Sequence, residues 1–176
     1  ARAVETALEA GYRHIDTAQA YGNEEHVGRG IAAADVSRED VFLATKVWIS
    51  ELAYDDVLAS TEESLDKLGV DSVDLLYVHW PSGEYDPEGT LRAFDELYDA
   101  GTIDRIGISN FLPEQVDEAI ERTTAPIFAN QVEMHPLLQQ AELREHCAER
   151  DVELVAYSPL ARGEVFDVPT LSEIAD

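Results

Sequence analysis

Six apolar or β-branched runs punctuate the chain, at YRHIDTA (12–18), VFLATKV (41–47), VDLLYVH (73–79), RIGIS (105–109), IFANQVE (127–133) and ELVAYS (153–158). Each of the first five is followed by a stretch with helical spacing. Over 54–68, Val57, Leu58, Thr61, Leu65 and Leu68 fall on one face, and Gly69 supplies a left-handed stop. Over 88–100, Leu91, Phe94, Leu97 and Tyr98 repeat the pattern ahead of Gly101. Pro113 suits the first turn of a helix whose cap lies within Asn110 to Leu112, and PTLSEIAD opens one more helix. Strands that are apolar throughout and alternate with helices specify a parallel sheet covered by helices.

Two architectures meet that description, an open doubly wound sheet and a closed (β/α)8 barrel. The repeat is about 25 to 30 residues, so eight units need about 250, the usual barrel size. About six strands are present. No G-x-G-x-x-G follows any strand, as a dinucleotide-binding open sheet would require, and GRG at 28–30 falls inside a helix-like run. The expectation is an α/β chain with residues 1–176 forming a single domain, an incomplete (β/α)8 barrel.

Composition narrows the partners. Acids outnumber bases 37 to 12, for a net charge of −25, and Lys46 and Lys67 are the only lysines. Such a surface repels nucleic acid and anionic membranes. With 45% hydrophobic residues the chain is too apolar for a disordered acidic tail. Self-repulsion on this scale suits a saline cytoplasm, where at about 1 M salt the Debye length is roughly 3 Å. A halophile's protein is the expectation. No apolar run approaches the roughly 20 residues that span a bilayer, and the lone Cys147 fits a reducing cytoplasm.

Parallel sheets with helical crossovers gather their chemistry at the carboxyl ends of the strands. That edge reads Asp16, Lys46, His79, Ser109 with Asn110, Gln131, and Tyr157 with Ser158, with Tyr21 in the first loop. Taken singly, Asp16 suits a helix cap, Tyr21-Gly22-Asn23 an ordinary turn, and His79 a satisfied core position. Lys46 is different. A lysine in a strand flanked by Val41, Leu43 and Val47 must be paired, and Asp16 on a neighbouring strand end is the available partner. A cation beside Tyr21 is expected to lower the phenol's pKa, and a drop of about two to three pH units takes about 3 to 4 kcal/mol. With His79 orienting a carbonyl, the set reads as a proton relay for reducing C=O or oxidising an alcohol. It supplies no hydride, so a nicotinamide cofactor is required. Ser109, Asn110 and Gln131 offer groups for a carboxamide, and Tyr157 offers a flat face for the ring.

The chain resembles the aldo-keto reductase family along nearly all of its length. GYRHIDTAQAYGNE (11–24) is similar to that family's first signature and LGVDSVDLLYVHWP (68–81) to its second. TKVW, GISNF, NQVEMHP and YSPLARG follow in family order. The resemblance implies a (β/α)8 TIM barrel and a catalytic tetrad of Asp16, Tyr21, Lys46 and His79. It also implies nicotinamide contacts from Ser109, Asn110, Gln131 and Tyr157, with Ser158 and Leu160 over the pyrophosphate and Asp16 at the cofactor's edge. Trp48 and Trp80 match apolar substrate positions, beside His79. NADP(H) is the implied cofactor, small aldehydes and ketones are the implied substrates, and the diketogluconate-reductase-like branch is the nearest. A cytoplasmic monomer is expected.

Against that pattern, the family's first strand, eighth strand, C-terminal loop and the lysine-serine stretch that would choose NADPH over NADH have no counterpart here. A fragment is therefore expected, poorly stable alone and unable to reduce anything, because the second and seventh strands of a closed sheet would be open edges. Two rival readings stand beside this one. The first is a metal-dependent barrel hydrolase using His14, Asp16, His79 and His135, which leaves Lys46 and Tyr21 without a role. The second is a cofactor-binding relative without turnover.

Overall fold

The computed structural model describes residues 1–175. Six parallel strands, β1 (His14–Asp16), β2 (Phe42–Val47), β3 (Leu75–Val78), β4 (Ile106–Ser109), β5 (Ile127–Glu133) and β6 (Glu153–Tyr157), pair in chain order. Helices α1 (Arg2–Glu9), α2 (Glu24–Ala33), α3 (Tyr54–Leu68), α4 (Pro87–Asp99), α5 (Pro113–Arg122), α6 (Ala141–Ala148) and α7 (Pro169–Ala175) alternate with them. All six expected strands form, each trimmed by a few residues at most. No described helix is long and apolar enough to cross a membrane.

Local chemistry sets the helix ends. Val57, Thr61, Leu65 and Leu68 bury one face of α3. Gly69 then turns left-handed at φ 69°, a conformation only glycine adopts without strain, and its N–H returns to Leu65. At α4, the Asp86 carboxylate accepts the Gly89 N–H at 2.8 Å ahead of Pro87 in the first turn. At α5, the Gln115 side chain accepts the Leu112 N–H at 2.9 Å.

Strand alternation divides the core in two. Leu43, Val47, Leu76, Val78, Ile106 and Ile108 face the helices and join Leu91, Phe94 and Val116. Ala44, Leu75, Tyr77 and Ala129 face the other way, with Phe42, Phe128 and Val155 packed against them. That second face is the inside of a trough. In a flat sheet β1 and β5 would lie about 19 Å apart, four strand spacings. Instead the Gln131 amide on β5 donates to Asp16 on β1 at 2.8 Å, and Phe42 on β2 lies 6.4 Å from Phe128 on β5. The sheet is curled as an incomplete (β/α)8 barrel. Arg105 lies at its lower end, its guanidinium 5.4 Å from the Phe42 ring and 5.2 Å from the Phe128 ring.

Candidate active site

The curl brings the strand ends together. Lys46 points inward from β2 and is 1% exposed. Its ammonium donates to one oxygen of the Asp16 carboxylate and, at 2.9 Å, to the Thr17 carbonyl. The other Asp16 oxygen accepts the Gln131 amide at 2.8 Å. Burial pulls the Lys46 pKa down, and the charge and hydrogen bond of Asp16 oppose it. The carboxylate therefore does what the sequence requires of it: it makes a charged lysine tolerable in a dry interior.

Tyr21 ends the 3-10 turn Gln19–Tyr21 and is 53% exposed, with the Lys46 ammonium 5.4 Å from its ring centre. The direction of its pKa corrects the sequence expectation. It is raised, first by burial and then by the negative charges of Asp16 and ionised Tyr157. Lys46 sits over the ring and is already neutralised by Asp16, so it does not draw the proton off. Tyr21 is held as an intact phenol.

His79 follows β3 and is buried, its ring 5.9 Å from that of Tyr21 and 5.0 Å from that of Trp48, edge-on to both. Burial and the Lys46 charge push its pKa down to about 4, against a smaller opposing pull from Asp16. At neutral pH the imidazole is uncharged, with one N–H to donate. Its Nδ1 is buried without a partner. Among the described residues no three His, Cys, Asp or Glu side chains are grouped to hold a metal, and His14 packs edge-on against Phe42 outside the cluster.

Beside the tetrad, β4 to β6 supply a linked polar edge. Asn110 donates to the His79 carbonyl at 3.1 Å and to Ser109 Oγ at 3.0 Å, and accepts the Tyr157 hydroxyl at 2.9 Å. Ser109 donates to the Gln131 carbonyl at 2.8 Å. Asn110 and Ser158 both adopt positive φ, 64° and 49°, where their strands turn out of the sheet. Gln131 gives one of its two amide N–H groups to Asp16. Trp80 and Leu160 stand exposed at the mouth.

The sequence reading missed the support beneath the Tyr21 turn. Gln19 Oε1 accepts the Trp48 N–H at 2.8 Å, and its Nε2 donates to Ser64 Oγ at 3.1 Å and the Ser60 carbonyl at 3.2 Å. Ser64 in turn reaches the buried Glu24 at 3.3 Å, and Thr45, next to Lys46, donates to Glu24 at 2.6 Å. A single side chain thereby fixes the Tyr21 turn to α3 and to the Trp48 loop. No spacing in the sequence announces this.

The profile of the aldo/keto reductase family matches residues 1–169. The chain belongs to that family. An aldo-keto reductase of Mycobacterium sp. (strain JLS) is 48% identical over 99% of this chain and 64% of its own length. The glyoxal reductase of Bacillus subtilis (strain 168) is 42% identical over 98% of this chain and 62% of its own. Among solved structures, a protein provisionally named 2,5-diketo-D-gluconic acid reductase B superposes with a TM-score of 0.96 at 43% identity, over 98% of this chain and 62% of that one. A Bombyx mori aldo-keto reductase in complex with NADP superposes at 0.84 with 38% identity, over 89% and 55%. This aldo/keto reductase chain thus spans under two thirds of the length of these relatives.

Proposed function

We propose that the intact protein reduces small aldehydes and ketones to alcohols, with Tyr21 as general acid. The supporting observation is the buried Lys46, paired with Asp16, beside the Tyr21 and His79 rings at one end of the trough. A carbonyl oxygen that gains charge needs a proton donor and a neutral hydrogen-bond donor beside it. Tyr21 fills the first part, because its raised pKa keeps the proton in place until an alkoxide, a far stronger base, takes it. His79 fills the second, because a pKa of about 4 keeps it uncharged at working pH. Lys46 faces the phenolate that remains, and Asp16 holds that ammonium charged and in place.

NADPH would supply the hydride; the Bombyx mori relative is in complex with NADP, the oxidised form of that cofactor. Ser109, Asn110, Gln131 and Tyr157 would hold its nicotinamide, with Ser158 and Leu160 toward the phosphates and Asp16 at its edge. Trp48 and Trp80 offer apolar faces to a small substrate, in keeping with the glyoxal reductase similarity. A cytoplasmic enzyme acting as a monomer fits this reading.

NADPH consumption with a reactive dicarbonyl tests it. Tyr21→Phe is expected to cut turnover by about 10²- to 10⁴-fold while NADPH binding, followed by fluorescence, is retained. Undiminished turnover in Tyr21→Phe removes the residue from the mechanism.

A further inference from the structure

Beneath the Lys46–Asp16 pair lies a side chain that this reaction does not use. Tyr77 pairs with Lys46 in the β2–β3 register, faces the inside of the trough and is 0% exposed. Its hydroxyl is buried without a hydrogen-bond partner. Burial, followed by the charge of Asp16, pushes its ionisation well above the usual phenol range, so it stays neutral. The Lys46 ammonium lies 5.7 Å from the centre of its ring, against 5.4 Å for Tyr21. The cation is thus set between two phenol faces, one at the mouth and one below. The lower ring has a seat prepared for it. Gly107 is its neighbour on β4, and a Cβ there would come within 2.4 Å of the ring.

We propose that Tyr77 is a positioning residue for Lys46, its ring face steadying the buried ammonium against Asp16 and toward Tyr21. An aromatic face attracts a cation within about 6 Å, most strongly where water is absent. An apolar side chain in the same place would leave Lys46 its carboxylate and its carbonyl but no attractive surface below. The groups facing the ammonium are Asp16 from β1, the Thr17 carbonyl, Tyr21 from its turn, and Tyr77 and His79 from β3. Of these only Asp16 is charged at neutral pH. The ammonium lies over the ring and gives its hydrogen bonds to Asp16 and the Thr17 carbonyl, so the role falls to the ring and not to the oxygen.

The catalytic consequence rests on the reductase reading, but the contact itself does not. Lys46 and Lys67 are the only lysines, so lysine labelled with ¹³C at Cε gives two signals. Exposed Lys67, paired with Glu63, serves as the internal reference. In the wild type, nuclear Overhauser contacts are expected between the Lys46 ε-methylene and the Tyr77 ring. In Tyr77→Met the Lys46 titration midpoint is expected to fall by about one pH unit, a tenfold change, while that of Lys67 holds. Tyr77→Phe should leave both midpoints and turnover unchanged. An unmoved Lys46 midpoint in folded Tyr77→Met overturns the proposal. So does the absence of Tyr77 contacts in the wild type, a measurement that stands even where Tyr77→Met fails to fold. If the midpoints move as stated and no variant or wild type reduces a carbonyl, the positioning role is upheld and the reductase reading fails.

Discussion

Asp16→Asn removes one charge from the pair on which the site is built and leaves the other sealed beneath the rim. At a separation of about 3 Å and an effective dielectric of about 20, the lost attraction is about 5 to 6 kcal/mol. The Asp16 side chain is 31% exposed, so water already screens part of it. A loss of about 3 to 4 kcal/mol of folding stability remains, in line with stranding one member of a buried pair. The size of that loss depends on pH in a defined direction. In the variant the folded-state pKa of Lys46 lies further below its unfolded value, so between the two the unfolded chain binds more protons. Stability there rises with pH, and the deficit should be larger at pH 6 than at pH 9. Chemical denaturation of wild type and Asp16→Asn at both values measures this. Adding Lys46→Met to Asp16→Asn removes the stranded charge and should recover most of the loss. A deficit under 1 kcal/mol, or one that does not change with pH and persists in the double variant, would show that Lys46 is not sealed by the fold.

Gln19→Ala should lower turnover about tenfold with little change in NADPH affinity, because it frees the Tyr21 turn from α3 and the Trp48 loop without touching the cofactor edge; equal losses in both would refute that division. His79 has a folded pKa of about 4 against 6.5 unfolded, so the unfolded chain binds the extra proton between those values and stability falls as pH drops from 6.5 toward 4, by at most about 3 kcal/mol. Denaturation of His79→Gln over the same range should show a shallower decline. With a net charge of −25, the melting temperature should climb from 0.1 M to roughly 2 M potassium chloride, and a salt-independent melt would count against a saline origin.

Much of this arrangement is legible from spacing alone. The six strands, the α3 stop at Gly69 and the proline-led start of α5 follow from local pattern, because the apolar period and the allowed φ of glycine and proline act within a few residues. The pairing of Lys46 with Asp16 is legible too, since a lysine in an apolar strand has few places to put its charge. Gln19 carries no such mark, because its partners lie on α3 and past β2, and a glutamine in a loop is polar wherever it points. Tyr77 reads as one more core residue in VDLLYVH until the β2–β3 register sets it beside Lys46.

By itself the sequence determined the order and kind of the elements, the end of the sheet at which Asp16, Lys46, His79 and Asn110 gather, and the need to neutralise a buried lysine. Only the tertiary structure decided that Gln131 gives an amide N–H to Asp16, and that, against expectation, Tyr21 keeps its proton more tightly. Periodicity is a property of neighbours along the chain. The curl that brings β5 against β1 sums small rotations over all the strands between them, and a pKa follows from the burial and distances that the curl creates.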